Sequence, residues 1–358
     1  MDKEEKKPKT IKLSIILSLI LSISIIVLIL YFTFDAETFE YLSIHQIRYE
    51  FFFAAMGVNV IYWTLWGARL KILSNAIDKN INISLWESTK IVIANLFLAN
   101  ITPSMAGGEP VRIYLLNKDG LSIGGATASV LGERLLDAIF LLLCVPFALF
   151  VFGKYLNEGP LRIGLTIAIL LFIMAVVAFA YSLKNPEKTK SFLIFLSNKL
   201  NRFSKKKDNE KTIIDRINSE VDNFHDSMVF FLSDGKKAFI KAGMFTIVFW
   251  ITGWMIPPLI LMGLGLEPFI IESCAIQVLL IIIVMMPTTP GSTGVTEGST
   301  AALYSIFIGS SLIGVFVLLF RLLTYHMGLI AGAIFQYRIF KSVASFSLET
   351  IKTKNNNF

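Results

Sequence analysis

A helix needs roughly 20 consecutive apolar residues to cross the hydrocarbon core of a bilayer, and this chain supplies that length again and again. Such runs occupy residues 11–34, 51–70, 128–152, 160–183, 239–262 and 312–337. The first, from Ile11 to Phe34, is too long for a secretory-signal core, and no small-residue cleavage site follows it. With 54% hydrophobic and only 16% charged residues, the chain lies outside the range of soluble globular proteins. The expected fold is all-α: a polytopic membrane protein with six spanning helices and no soluble enzyme domain.

The cations give these spans a direction. Residues 1–12 hold five lysines, 184–241 hold thirteen Lys/Arg and 338–358 hold four, whereas 35–50 and 153–160 hold one each and 242–320 hold none. Basic residues are retained on the cytoplasmic side, and all three blocks fall on one side of a six-span path. Both termini are therefore expected in the cytoplasm of a cell-membrane protein, with tails at 1–10 and 341–358 around a membrane domain at 11–340. The net charge of +7 is accounted for by these flanking blocks, which suit anionic lipid, so nucleic acid is not an expected partner.

Two apolar stretches are too short to cross. Residues 88–102 (STKIVIANLFLANIT) and 273–287 (SCAIQVLLIIIVMMP) each run into a Gly/Pro-rich turn, which predicts re-entrant helical hairpins. They also belong to a repeat. An offset of 187 places Trp63 on Trp250, Thr102-Pro103 on Thr289-Pro290, Gly107 on Gly294, and Arg134-Leu135-Leu136 on Arg321-Leu322-Leu323. Copy one spans about 50–152 and copy two about 239–338, and the charge-derived path has their hairpins entering from opposite sides. That is an inverted repeat, the plan in which transporters place substrate between the copies at broken helices.

Between the copies, 184–241 is the only sizeable polar piece. Ile214, Ile217, Val221, Phe224 and Met228 recur at helical spacing among Lys, Asp and Glu, predicting two basic amphipathic helices on the cytoplasmic surface or a solvated linker. This segment is also where a cytoplasmic lipid-modifying enzyme would be recruited. A second copy of the chain is a further candidate partner.

The first turn reads TPSMAGGEPVR, and Pro110 suits the first turn of a helix because its missing donor costs nothing there. That helix would aim its N-terminal N–H groups at an anion. The second turn, PTTPGSTGVTEG, combines Gly291 and Gly294 with the hydroxyls of Thr289, Ser292 and neighbouring threonines. Arginine inside a spanning helix costs roughly 2.5–3.5 kcal/mol and so faces a partner or a wet cavity. Arg134 and Arg321 are the two such cations singled out, with Glu109, Glu133 and Asp137 as partners in the first copy and Glu297 in the second. The candidate headgroup site is therefore Arg134, Arg321, Glu109, Arg112, Glu133, Asp137, Glu297, Thr102, Gly107, Gly108, Thr289, Gly291, Ser292 and Gly294. Guanidinium matches phosphate oxygens in bidentate fashion. Against this stand structural roles: Arg134 lies near the end of its span and could snorkel to the interface, and Arg321 could serve an ion pair alone. Trp63, Trp66, Trp250 and Trp254 read as packing or interface anchors.

Catalytic chemistry finds no motif: HExxH, GxSxG and a P-loop are absent. Cys144 and Cys274 sit inside apolar runs and form no CxxC motif. His326, five residues after Arg321, is not expected to share its helical face. No catalytic residue, metal ligand or cofactor is expected, and transport would run down a gradient or be ion-coupled.

The string PSMAGGEPVRIYLL (103–116), the Glu133-Arg134 pair and PTTPGSTGVTE (287–297) resemble the two signature turns of the lysylphosphatidylglycerol synthase/flippase transmembrane-domain family, over roughly residues 12–340. The resemblance implies a membrane domain that moves aminoacylated phospholipid between leaflets, often beside a soluble aminoacyl-transfer domain. With the chain ending at Phe358, lipid aminoacylation is not expected here. Related members fused to glycosyltransferases that act on polyprenyl-phosphate lipids widen the implied cargo to anionic phospholipids and polyprenyl-phosphate lipids. Ser292-Thr293 departs from the family's glycine-richer second turn.

Overall fold

The computed structural model describes residues 24, 27, 31, 36–44, 46–78, 80–102, 108–152, 160–201, 210–284 and 292–335. Its regular elements among these residues are all helices: α1 (Ala36–Ile44), α2 (Tyr49–Ile77), α3 (Leu85–Ile101), α4 (Gly108–Lys118), α5 (Ile123–Phe152), α6 (Pro160–Lys184), α7 (Pro186–Asn201), α8 (Glu210–Leu232), α9 (Lys236–Trp254), α10 (Ile256–Gly263), α11 (Ile270–Val284), α12 (Val295–Tyr304) and α13 (Ser310–Arg321). After Arg321 the helix passes through a π-turn, Leu322–His326, and continues to Phe335.

Four helical segments are long and apolar enough to cross a membrane: Tyr49–Ile77, Ile123–Phe152, Lys236–Gly263 and Ser310–Phe335. They match four of the six expected runs. The run at 160–183 is the 25-residue helix α6, while 11–34 falls almost entirely outside the described residues. The two short runs are helices of 17 and 15 residues, α3 and α11, about 25 and 22 Å long at 1.5 Å per residue.

Local sequence explains several ends. Ser84 and Glu87 form a reciprocal capping box at the start of α3, with Ser84 N–H donating to Glu87 Oε2 at 2.9 Å and Glu87 N–H to Ser84 Oγ at 3.2 Å. Pro160 and Pro186 open α6 and α7, where a missing N–H is harmless. Helix starts at 49, 108 and 123 recur at 236, 295 and 310, the offset of 187 that aligns the tryptophans and arginines.

The chain forms two compact units. One comprises residues up to Thr64 with Thr89–Arg112 and everything from Trp250, and the other comprises Leu65–Ser88 with Ile113–Phe249. In the first unit the front half of α2 runs against the end of the Lys236–Gly263 segment. A Cβ on Gly253 would come 2.7 Å from the Tyr62 ring, one on Gly263 would overlap the Phe52 ring, and Arg48 N–H donates to the Gly263 carbonyl at 2.9 Å. The partner number falls as the α2 number rises, so the helices are antiparallel. The same unit packs α3 against the helix following the π-turn. Phe97, Tyr325 and Leu329 cluster there, and Gly332 brings the backbones together, since a Cβ on it would lie 2.9 Å from the Ile93 carbonyl oxygen.

In the second unit the back half of α2 runs antiparallel to α9: Trp66 packs on Phe249 with centroids 5.7 Å apart, and Leu73 shares a core with Ala242. That core also takes Met228 and Phe231 from α8 and Ala128 and Leu136 from α5. Gly132 admits the Phe231 ring, which a Cβ would meet at 3.2 Å. The expected amphipathic helices are therefore present as α7 and α8, but α8 turns its apolar face, Val221 and Met228, inward and exposes Asp215, Asp222 and Asp226. It is not a basic helix lying apolar face down on lipid. The side chains of Ile217 and Phe224 lie outside the described residues.

Candidate functional site

In the first unit the site is built on α12. Gly294, at φ 89°, precedes the helix, and its N–H donates to Glu297 Oε2 at 2.7 Å. The other oxygen, Oε1, pairs with Arg321 Nε at 2.9 Å. Arg321 Nη2 donates to Thr293 Oγ1 at 3.3 Å, and its guanidinium carbon lies 4.2 Å from the centre of the Tyr325 ring. Both charges are almost wholly buried, which demands this compensation because an isolated buried charge is prohibitive. One carboxylate thus occupies the two features that attract anions, a cation and a helix N-terminus.

The π-turn beside Arg321 shifts the carbonyl ladder, and polar side chains take up the displaced oxygens. Asn59 Nδ2 donates to the Leu323 carbonyl at 2.6 Å, Asn100 Nδ2 to the Tyr325 carbonyl at 3.3 Å, and the Tyr325 hydroxyl returns a bond to the Asn100 carbonyl at 3.3 Å. His326 Nδ1 meets the Arg321 carbonyl at 3.1 Å. The partner is a backbone carbonyl, brought within reach of residue 326 by the π-turn with its i→i+5 closure.

Ser292 is buried with φ 51°, and its hydroxyl donates to the Val284 carbonyl at 3.4 Å, closing the second hairpin. A non-glycine residue in the left-handed region costs roughly 1–2 kcal/mol. This is one of the two positions where the sequence departs from glycine. In the first hairpin Gly108 presses on α3, where a Cβ would overlap the Asn95 carboxamide. Thr102 donates back to the Leu98 carbonyl at 2.7 Å. Glu109 is half-buried and Arg112 fully buried. Gly107, Thr289 and Gly291 lie outside the described residues.

The second unit holds a different cluster. Arg69, fully buried on α2, grips Asp137 through Nη1 to Oδ1 at 2.5 Å and Nη2 to Oδ2 at 3.4 Å. Its Nη1 also donates to Thr246 Oγ1 at 3.2 Å, its Nε lies 3.6 Å from Glu133 Oε1, and its guanidinium stacks 4.2 Å from the Phe249 ring centre. Glu133 and Asp137 are one turn apart on α5 and so face the same way. Arg134, by contrast, keeps 41% of its side chain exposed and lies 3.6 Å from Asp137. The two arginines equivalent by sequence are therefore not equivalent in burial, and the first copy buries, besides Arg112, Arg69. Sequence reasoning passed over it because it closes the apolar run 51–70. The signal available was that Asn75 and Ile77 continue the helix past it.

Trp66 and Trp254 pack internally, Trp250 and Trp254 with centroids 6.3 Å apart. No group of three His, Cys, Asp or Glu side chains able to hold a metal occurs among the described residues.

A family model described as the lysylphosphatidylglycerol synthase TM region matches residues 15–332. A UPF0104 membrane protein of Archaeoglobus fulgidus is 33% identical over 324 residues, 89% of this chain and 96% of the relative. UPF0104 membrane proteins of Methanocaldococcus jannaschii and Pyrococcus horikoshii are 29% and 24% identical, over 77% and 81% of this chain and 80% and 86% of their own. No solved structure matches.

Proposed function

Since the chain belongs to the lysylphosphatidylglycerol synthase transmembrane-region family and is an integral membrane protein, we propose that it carries an anionic lipid between leaflets without altering it covalently. The cargo is an anionic phospholipid or a polyprenyl-phosphate-linked lipid, held by its phosphate. The observation that carries this reading is the buried Arg321–Glu297 pair at the N-terminus of α12, with Arg321 inside a helix apolar enough to span. Ionisable groups at such depth are costly and mark substrate paths, and guanidinium plus helix N-terminus is phosphate-binding chemistry.

The antiparallel course of equivalent helices supports a carrier. Under the offset of 187, Tyr62 corresponds to Phe249 and Trp66 to Gly253, so the Tyr62/Gly253 contact of one unit is the counterpart of Trp66/Phe249 in the other. A repeat whose first helices pair head to tail in self-complementary register is an inverted one. This supports reading α3–α4 and α11–α12 as re-entrant hairpins from opposite faces, and the placement of the basic blocks supports cytoplasmic termini.

Proteoliposomes carrying fluorescent phosphatidylglycerol test the proposal. The native protein should exchange the label between leaflets, and Arg321→Ala should lose the exchange while inserting normally. Equal exchange by native protein, Arg321→Ala and empty vesicles would remove the carrier assignment.

A further inference from the structure

Helix α6 shows lipid an exposed apolar stripe, Ile163, Ile167, Leu170, Met174, Val177 and Tyr181, spaced as one helical face. It ends at exposed Lys184, and α7 begins two residues later. Lys188 folds back, its Nζ donating to the Tyr181 hydroxyl at 3.0 Å. Beyond it on the same face stand Phe192 and Phe195, 62% and 63% exposed. Two phenylalanines held open immediately after a lysine pair do not suit water. They suit the boundary of a leaflet, where aromatic side chains enter the acyl region and lysines meet phosphates.

The rest of the hairpin fixes which side faces the bilayer. Lys190 on the opposite side of α7 is turned onto Asp222 of α8, at 2.7 Å, and Glu187, at 2.7 Å. On α8, Asp215, Asp222 and Asp226 share one exposed face, the face that meets Lys190. Anionic lipid attracts the Lys184/Lys188 face and repels the aspartate face, so the pair has one orientation. We propose that α7, together with Lys184 at the end of α6, is an anionic-lipid docking surface, with Phe192 and Phe195 inserted in the cytoplasmic leaflet, Lys184 and Lys188 on its phosphates, and α8 held above it facing the cytosol. This surface is separate from the buried Arg321 site and needs no transport.

The test uses the full chain with Cys144→Ala and Cys274→Ala, bimane-labelled at Phe195→Cys or Asp226→Cys. The labelled protein is placed in nanodiscs of phosphatidylcholine, or of phosphatidylcholine and phosphatidylglycerol in equal parts. At 195, lipids brominated on the upper acyl carbons should quench and aqueous iodide should not, in the anionic discs. Adding Lys184→Gln and Lys188→Gln should abolish that protection, and at 226 iodide should quench in both discs. Phe192→Cys serves as a second reporter should the first labelled protein not fold. Iodide reaching 195 as freely as 226 in anionic discs overturns the proposal. So does protection indifferent to the two lysines, or protection that appears only when cytosolic protein is added, which would make this face a protein-docking site. None of these readings depends on lipid exchange, so they leave the carrier assignment to its own assay.

Discussion

Arg69 and Arg134 lie in the same unit and both reach Asp137, yet their surroundings predict opposite outcomes when each is removed. Arg69→Ala takes the buried guanidinium from between Asp137 and Glu133, at a cost of about 3–5 kcal/mol, and should lower the melting temperature in detergent sharply. Arg134→Ala gives up a half-exposed pair worth roughly 0–1 kcal/mol and should leave melting nearly unchanged. The reverse ranking would show that the cluster is misassigned. Ser292→Gly tests the second hairpin. Relief of the φ 51° strain is worth about 1 kcal/mol, set against one long hydroxyl bond, so the variant should melt at the same temperature or slightly higher. At this scale the sequence disclosed the Arg321–Glu297 pair, because a lone cation far inside an apolar run demands a partner. It did not disclose Arg69, whose place at the end of an apolar run looks interfacial until the helix is seen to continue to Ile77. Nor did it disclose the His326 contact, since hydrophobic periodicity carries no mark of a π-turn.

Element order and boundaries were more legible than contacts. The short helices α3 and α11 follow from apolar run length, and the places where they end follow from Gly/Pro placement. What a helix face packs against does not, which is why α8 was expected on the membrane surface and instead packs on α5. The antiparallel crossing of α3 with the helix after the π-turn rests on glycines four apart, the small-residue spacing that lets membrane helices approach closely. Gly332→Leu should prevent the contact, costing about 1–3 kcal/mol, whereas Gly328→Ala, whose nearest neighbours lie at 3.7–3.8 Å, should be tolerated. Thermal melts of the two variants in the same detergent decide this. The α7–α8 contact has a pH signature. Hydrogen bonds to Asp222 and then Glu187 raise the Lys190 value above its ordinary 10.5. Its contribution is therefore complete below that value and is lost as pH rises through the raised one. Amide protection factors in α7 and α8, taken against the base-catalysed rise of intrinsic exchange, should hold across neutral pH and fall only above about pH 10.5. Loosening near pH 7 would contradict the pairing.

At the scale of the whole molecule, the account rests on one sequence copied and inserted in opposite senses, so that polar groups costly in hydrocarbon meet inside the protein. Composition alone made the chain a membrane protein, and charge placement is the ground for the direction proposed for it. The antiparallel register of α2 with Lys236–Gly263 then supplies the reason that two similar copies can oppose each other. Lys118 and Ser305 are equivalent under the repeat, each exposed and each at the end of the second helix of its hairpin. In intact cells, with Cys144 and Cys274 replaced by alanine, Lys118→Cys and Ser305→Cys should be reached by a membrane-impermeant thiol reagent from opposite sides. The account predicts labelling of 305 from outside and of 118 only after the membrane is opened. Labelling of both positions from the same side would contradict it.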